Sequence, residues 1–214
     1  GKGLSLAAVV DPSIDHRLVV DRLRLRQVLL NLVHNAVKFT PAGSVVVRTT
    51  VTERTRDHCT VTIAVEDTGI GIPEEIQSAL FQPFMQADGS TTRRFGGTGL
   101  GLTISKQLIA LMDGSISVTS DTERGSVFRI ALRLGIEEGA PIRPRCACSE
   151  ALLFSDDPVL GEAVTAHLAA AGITLQPCPR DAVGVGSPGS ISLIDCVHQG
   201  CVPRECLARV PGAA

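Results

Sequence analysis

Between Asp21 and Pro41, the residues Leu25, Val28, Leu29, Leu32, Val33 and Ala36 recur at three- and four-residue intervals. That spacing gathers apolar side chains on one side of an α-helix, whereas a strand would scatter them over both faces. Asp21 can accept hydrogen bonds from the first free N–H groups, and Pro41 cannot continue the ladder, so a helix is expected between them. Immediately afterwards come two β-branched runs, Val45–Val51 and Cys59–Val65, separated by the charged stretch Glu53–His58, which is the pattern of a hairpin. A long amphipathic helix leading into a hairpin has to bury its apolar side on the sheet, so this part of the chain is α/β.

The rest of the first 135 residues fits the same layering. Gly1 to Val10 alternates (Leu4, Leu6, Ala8, Val10) and reads as a strand without any lead-in, as if cut from a longer protein. Pro73, Glu74 and Glu75 open a short helix running to about Leu80, with proline at its first position and acids favourable to the dipole. Gln86–Thr98 is polar and glycine-containing and is expected to be a mobile loop. A second long helix is predicted over about Gly99–Met112, stopped by Asp113-Gly114. Ile116–Ser120 and Ser126–Leu134 form a closing hairpin around Glu123-Arg124-Gly125.

Composition narrows the class. The 214 residues allow one good core and part of a second; Trp and Tyr are absent and Phe numbers six, so the core has to be aliphatic. Twenty basic against 22 acidic residues leave a formal charge of −2, which provides no field for nucleic acid or anionic lipid. No apolar run approaches the ~20 residues of a membrane-spanning helix, so no direct membrane contact is expected. Seven cysteines in no regular framework read as reduced thiols of the cytosol. Cys196, His198, Cys201 and Cys206 do not fit a zinc spacing.

Residues 136–149 are rich in proline, glycine and mixed charge and read as a linker. Within 150–214, Ala151–Phe154 reads as a buried strand, Pro158–Ala171 as a helix with Gly172 beyond its end, and Ile191–Ile194 as a further strand. Pro177–Ser190 is too rich in proline and glycine to hold a full helix.

Two features of the first part carry chemistry. Gln27, Asn31, His34, Asn35 and Lys38 share an arc of about 100° on the first helix. A solvated face would favour Glu, Lys and Arg; two asparagines one turn apart cost helix stability, while their amide oxygens suit a hard cation such as Mg²⁺ and Lys38 suits a phosphate. The segment Arg94-Phe95-Gly96-Gly97-Thr98-Gly99-Leu100-Gly101-Leu102 runs into the second helix, where glycine-flanked amides and a helix N-terminus can receive an anion. Residues 24–40 (RLRQVLLNLVHNAVKFT) resemble the N box of histidine kinases. Glu66-Asp67-Thr68-Gly69-Ile70-Gly71-Ile72 resembles their G1 box, Phe81-Gln82-Pro83-Phe84 their F box and Gly97-Thr98-Gly99-Leu100-Gly101-Leu102 their G2 box, in the family's order.

The resemblance implies the Bergerat fold, a two-layer α/β sandwich in which helices cover one mixed sheet, over residues 1–135. It implies ATP and Mg²⁺ as cofactors. Asp67 would accept from the adenine amino group, with Thr68 assisting through water and Gly69, Gly71 and Ile72 lining the base. Asn35 would hold Mg²⁺ with Asn31 in support, and Lys38 would touch the phosphates. Phe84, Arg93, Arg94, Gly97, Thr98, Gly99, Leu100, Gly101 and Leu102 would complete the nucleotide cradle. The F-box phenylalanines Phe81 and Phe84 equally suit plain core packing, and solvated loop charges stay open as the lesser alternative for the two arginines.

The superfamily also holds gyrase, chaperone and mismatch-repair ATPases, in which a glutamate four residues before the metal-binding asparagine is the general base. Here that position is Asn31, whose amide cannot take a proton, so transfer to a histidine is expected over hydrolysis. In the family that histidine lies in a two-helix dimerisation domain N-terminal to this region, so this chain is expected to bind ATP without phosphorylating itself. An ATP-hydrolysing member and a non-catalytic ATP-binding interaction module stay open as alternatives. The parent would be a homodimer anchored in the cytoplasmic membrane with this part in the cytoplasm, and its partners a dimerisation domain and a downstream receiver or response regulator. Phe154-Ser155-Asp156-Asp157-Pro158 and Leu193-Ile194-Asp195 resemble the phosphorylation strands of receiver domains, a flavodoxin-like β-α-β fold. Ser155 stands where receivers carry their first acid, so this unit is expected to be partial and degenerate, with an active but truncated receiver and an unrelated β-α-β piece as the open alternatives.

Overall fold

The computed structural model describes residues 2–83, 99–139, 149–178 and 191–194. The chain divides into two units, Gly1–Pro141 and Ile142–Ala214.

In the first unit the elements are β1 (Ser5–Val9), β2 (Leu18–Val19), α1 (Arg22–Phe39), β3 (Ser44–Arg54), β4 (His58–Asp67), α2 (Glu74–Gln77), α3 (Gly101–Ala110), β5 (Ser115–Asp121) and β6 (Gly125–Ile136). The sheet runs β1-β3-β4-β6, and β5 and β2 share the far edge of β6. β1 lies parallel to β3 and every other pairing is antiparallel, so the sheet is mixed, with α1 and α3 packed on it.

Period-two alternation builds the core. Cys59, Val61, Ile63 and Val65 of β4 stand opposite Leu134, Leu132, Ile130 and Phe128 of β6, and all eight are buried. Above them lie Val28, Leu32 and Ala36 of α1 and Ile109 of α3. The buried α1 residues all belong to the apolar repeat that marks the helix in the sequence. Asp21 caps it as expected, accepting from the backbone N–H of Leu23 at 3.1 Å and of Arg24 at 3.0 Å. Its other end holds an unforeseen clamp: Lys2 Nζ donates to the carbonyls of Val37 at 2.8 Å and Lys38 at 2.9 Å, placing a cation at the negative end of the dipole.

Three boundaries differ from expectation. β1 covers only Ser5–Val9 of the expected Gly1–Val10; Leu6, 62 % accessible, Ala8 and, just past the strand, Val10 are exposed, whereas Val9 is buried, and no β1 residue joins the main core of this unit. α3 starts at Gly101 and ends at Ala110, shorter at both ends than Gly99–Met112. Asp113 takes the left-handed conformation (φ 55°) and the Gly114 N–H bonds back to the Ile109 carbonyl at 3.0 Å, so the stop falls where Asp113-Gly114 placed it. Gly135 and Ile136 pair with Val19 and Leu18, so β6 runs into the first residue of the expected linker and gains a two-residue partner strand that its length concealed.

The second unit contains β7 (Glu150–Phe154), α4 (Pro158–Ala170), β8 (Thr174–Cys178) and β9 (Ile191–Ile194), forming a parallel sheet in the order β8-β7-β9. Asp157 caps α4 by accepting from the Val159 N–H at 2.9 Å. β8 is absent from the sequence reading. It ends in Pro177-Cys178, and proline argues against a central strand, but β8 is an edge strand and Pro177 pairs opposite Leu153. From residue 179 the segment expected to hold no helix lies outside the described residues, as do Asp195 and Cys196, Cys201 and Cys206.

Candidate functional site

The apolar face of the sheet ends in a polar row. Asp67 continues the inward series Val61, Ile63, Val65; Ser126 stands opposite it on β6, and Ser120 opposite Ser126 on β5. Asp67 is only 8 % accessible, and its carboxylate accepts from the Gly69 N–H at 2.9 Å. Burial pushes its carboxyl above the usual 3.8, opposed by the backbone N–H groups of Gly69 and Ser126. A buried acid with its remaining capacity turned to the end of a sheet is an acceptor awaiting a donor.

The Asp67-Thr68-Gly69 turn is strapped to the end of α1. The Ile70 N–H donates to the Phe39 carbonyl at 3.2 Å, and a Cβ on Gly69 would stand 2.5 Å from that oxygen. Thr68 Oγ1 accepts from the Ser44 N–H at 2.9 Å. Gly71 adopts φ 67°, and any side chain there would strike the Asp121 carbonyl, so this position requires glycine twice over. The Ile72 N–H donates to Ser120 Oγ at 2.8 Å, and Gln77 Nε2 holds the carbonyls of Ile72 at 2.8 Å and Ser120 at 2.9 Å. α2 thereby anchors the loop on β5.

On α1, Asn31, Asn35 and Lys38 are half-buried, whereas Gln27 and His34 are exposed. Asn31 Nδ2 donates to Ser105 Oγ of α3 at 2.9 Å, and a Cβ on Gly101 would lie 2.5 Å from Asn31 Oδ1. The glycine at the start of α3 therefore admits the amide of α1. Lys38 Nζ lies 4.8 Å from the centre of the Phe39 ring. No side chain caps the start of α3, and its first turn holds no acid. Gly99 has φ 68°, Leu102 packs against the core, and Thr103 Oγ1 is buried with no partner among the described residues.

These contacts tie α1, which carries Asn31, Asn35 and Lys38, to the loop Asp67–Ile72 through Phe39 and to Gly101 of α3 through Asn31, with Gly99, Leu100 and Leu102 beside that glycine in the chain. Phe84, Arg93, Arg94, Gly97 and Thr98 lie outside the described residues, as does the loop Gln86–Thr98. Phe81 meets Phe128 edge-on at 6.5 Å and belongs to the core. Ser120, Ser126, Gln77 and Ser105 escaped the sequence reading. For the first two a signal existed, since each is a serine in phase with an inward apolar row (Ile116, Val118 and Phe128, Ile130).

Residues 20–136 match the family described as "Histidine kinase-, DNA gyrase B-, and HSP90-like ATPase". The sensor protein GacS of Pseudomonas syringae pv. syringae is 49% identical over 133 residues, covering 62% of this chain and 15% of GacS. The signal transduction histidine-protein kinase BarA of Escherichia coli (strain K12) is 42% identical over 135 residues, 63% of this chain and 15% of BarA. The chain thus spans 15% of the length of these curated relatives. Among solved structures, full-length ShkA in complex with AMPPNP is similar with a TM-score of 0.68 and 28% identity, covering 93% of this chain and 41% of that one. More than half of the sequence matches the family, including the buried aspartate, the asparagine helix and the glycine-led α3, and the chain belongs to the histidine kinase-, DNA gyrase B- and HSP90-like ATPases.

Proposed function

We propose that this chain carries the ATP-binding catalytic domain of a hybrid sensor histidine kinase, which presents the γ-phosphoryl of ATP to a histidine on a dimerisation domain of the same parent protein. The observation that carries this reading is the buried carboxylate of Asp67, set where the strapped Asp67–Ile72 loop meets the asparagine-bearing helix. Asp67 accepts from the adenine amino group, Thr68 assists through water, and Gly69, Gly71 and Ile72 let the flat base approach the backbone. The uncapped start of α3, Gly99–Leu102, receives the phosphates, and Lys38 turns from the Phe39 ring towards them. Phe84, Arg93, Arg94, Gly97 and Thr98 complete the cradle. AMPPNP in the ShkA structure supports ATP as the nucleotide here.

The residues present fit Mg²⁺ in one manner. No group of three His, Cys, Asp or Glu side chains is placed to form a metal cage among the described residues, which suits an ion held mainly by phosphate oxygens and water with the amide oxygen of Asn35 as the protein ligand. When bound, the ion neutralises phosphate charge. Asn31 supports from within: its amide is tied to Ser105 and has no basic atom to take a proton from water, so the chain conserves the phosphoryl group. Catalysis then rests on positioning and charge neutralisation. The parallel order β8-β7-β9, with Ser155, Asp156 and Asp157 after β7, supports a receiver-type second unit; the serine in the first acidic position argues for a degenerate one. The parent is anchored in the cytoplasmic membrane with this part in the cytoplasm; in the described part of this chain no helix is long and apolar enough to cross a membrane.

Calorimetric titration with ATP, with and without Mg²⁺, tests the reading. The chain is expected to bind ATP with Mg²⁺, and Asn35→Ala is expected to lose the metal-dependent gain while leaving metal-free affinity unchanged. Equal losses in both conditions would make Asn35 a structural residue. Rapid ATP hydrolysis by the unsubstituted chain would overturn the kinase assignment.

A further inference from the structure

Helix α1 carries Arg22, Arg24, Arg26 and Lys38 and not one carboxylate. Three of these cations crowd its first two turns, where the dipole favours acids, so helix stability does not account for them. Arg24 is tied to Asp21 at 3.1 Å. Arg22 and Arg26 are exposed and have no carboxylate partner among the described residues.

Along the same outward face stand Leu23, 79 % accessible, and Leu30, 59 % accessible. They are seven residues apart, hence on one line and about 10 Å from each other along the axis. Single exposed leucines are ordinary on a protein surface. Two in a file, at the repeat of a helix-packing seam and flanked by uncompensated arginines, describe one half of an interface. The broad apolar side of α1 is already spent on Val28, Leu32 and Ala36, and the outward file holds no aromatic residue, so this face lacks the wide wedge with which helices enter lipid. Asn31 and Asn35 lie about a quarter and about a third of a turn away, and Lys38, about a fifth of a turn away, stands about two turns beyond Leu30 along the axis.

We propose that this face of α1 docks an acidic amphipathic helix of a partner protein, with apolar side chains seated along Leu23 and Leu30 and carboxylates on Arg22 and Arg26. The inference does not depend on the nucleotide assignment. Fluorescence anisotropy of the full chain with a labelled 21-residue helical peptide, leucine at every seventh position flanked by glutamates, tests it. Binding is expected, weakening with salt, and expected to fall at least ~10-fold for the same peptide with lysine in place of glutamate. The pair Arg22→Glu, Arg26→Glu and the pair Leu23→Gln, Leu30→Gln should each weaken it at least ~10-fold, with helical circular dichroism and ATP titration unchanged. Leu23→Ala, Leu30→Ala, which keeps helix propensity, is the second apolar variant. Equal affinity for both peptides, indifference to these substitutions, or binding to phosphatidylglycerol vesicles without binding to the peptide would overturn the proposal.

Discussion

Asp67 works against its own fold. Its inward position follows from strand alternation, and its burial raises the carboxyl above the ordinary 3.8. A raised value means that ionisation is harder in the folded state, so its favourable contribution is complete below that range and is lost as pH rises through the folded value. Asp67→Asn is therefore expected to be more stable than the parent at neutral pH, with the difference vanishing in acid, as thermal unfolding at several pH values would read out. The same substitution should cost at least ~10-fold in ATP affinity, since a charged hydrogen bond is worth about 1.5–3 kcal/mol. Equal affinity would remove Asp67 from the site. Asp15 shows the opposite sign. His16, bonded at 2.6 Å, and then Arg54, at 2.8 Å, lower its carboxyl to about 2. Its contribution is present above the ordinary carboxylate range and disappears as pH falls towards 2, so Arg54→Ala should move acid unfolding to higher pH and leave neutral ATP binding alone.

At the scale of elements, the helix pair α1 and α3 depends on one missing methyl. A Cβ on Gly101 would stand 2.5 Å from Asn31 Oδ1, and the amide is held there by its bond to Ser105. Gly101→Ala is expected to destabilise by about 1–3 kcal/mol through overpacking. Asn31→Ala removes the obstacle, so the double variant should be more stable than the sum of the two single losses predicts, and strict additivity in denaturant unfolding would contradict this contact. That example shows what the sequence can reveal about the site. The asparagine stripe was readable because asparagine is costly in a helix, and the Gly97–Gly101 run because repeated glycines leave backbone amides open to an anion ahead of an apolar helical run. The partnership between Asn31 and Ser105 was unreadable, because it joins residues 74 positions apart through tertiary packing. The same holds for Lys2, whose clamp on α1 reaches across more than 30 residues, and for β2, two residues long and defined only by its pairing with β6. Long periodic elements were legible for the converse reason: α1, β4 and β6 carry their own burial pattern. β8 was hidden by Pro177, acceptable at an edge that the sequence does not disclose.

At the scale of the whole molecule, the division at Pro141 separates two kinds of sheet. The first unit owns a mixed sheet whose main core, among the described residues, draws on Ile14 to Ile136. The second, in its described residues, owns a parallel sheet of three strands with α4. All nucleotide residues proposed above, from Asn31 to Leu102, belong to the first. If binding energy arises where those side chains and backbone amides converge, the second unit contributes nothing to it directly, and a chain ending at Pro141 should bind ATP and Mg²⁺ with a dissociation constant within about 2-fold of the full chain, a difference of roughly 0.4 kcal/mol. It should also unfold in one cooperative step, as a domain with its own core does. Calorimetric titration and thermal unfolding of residues 1–141 measure both. A loss of affinity above ~10-fold in a still-folded fragment would mean that the second unit acts on the site, through about 1.4 kcal/mol of coupling, and would turn it from a passenger into a regulator of nucleotide binding.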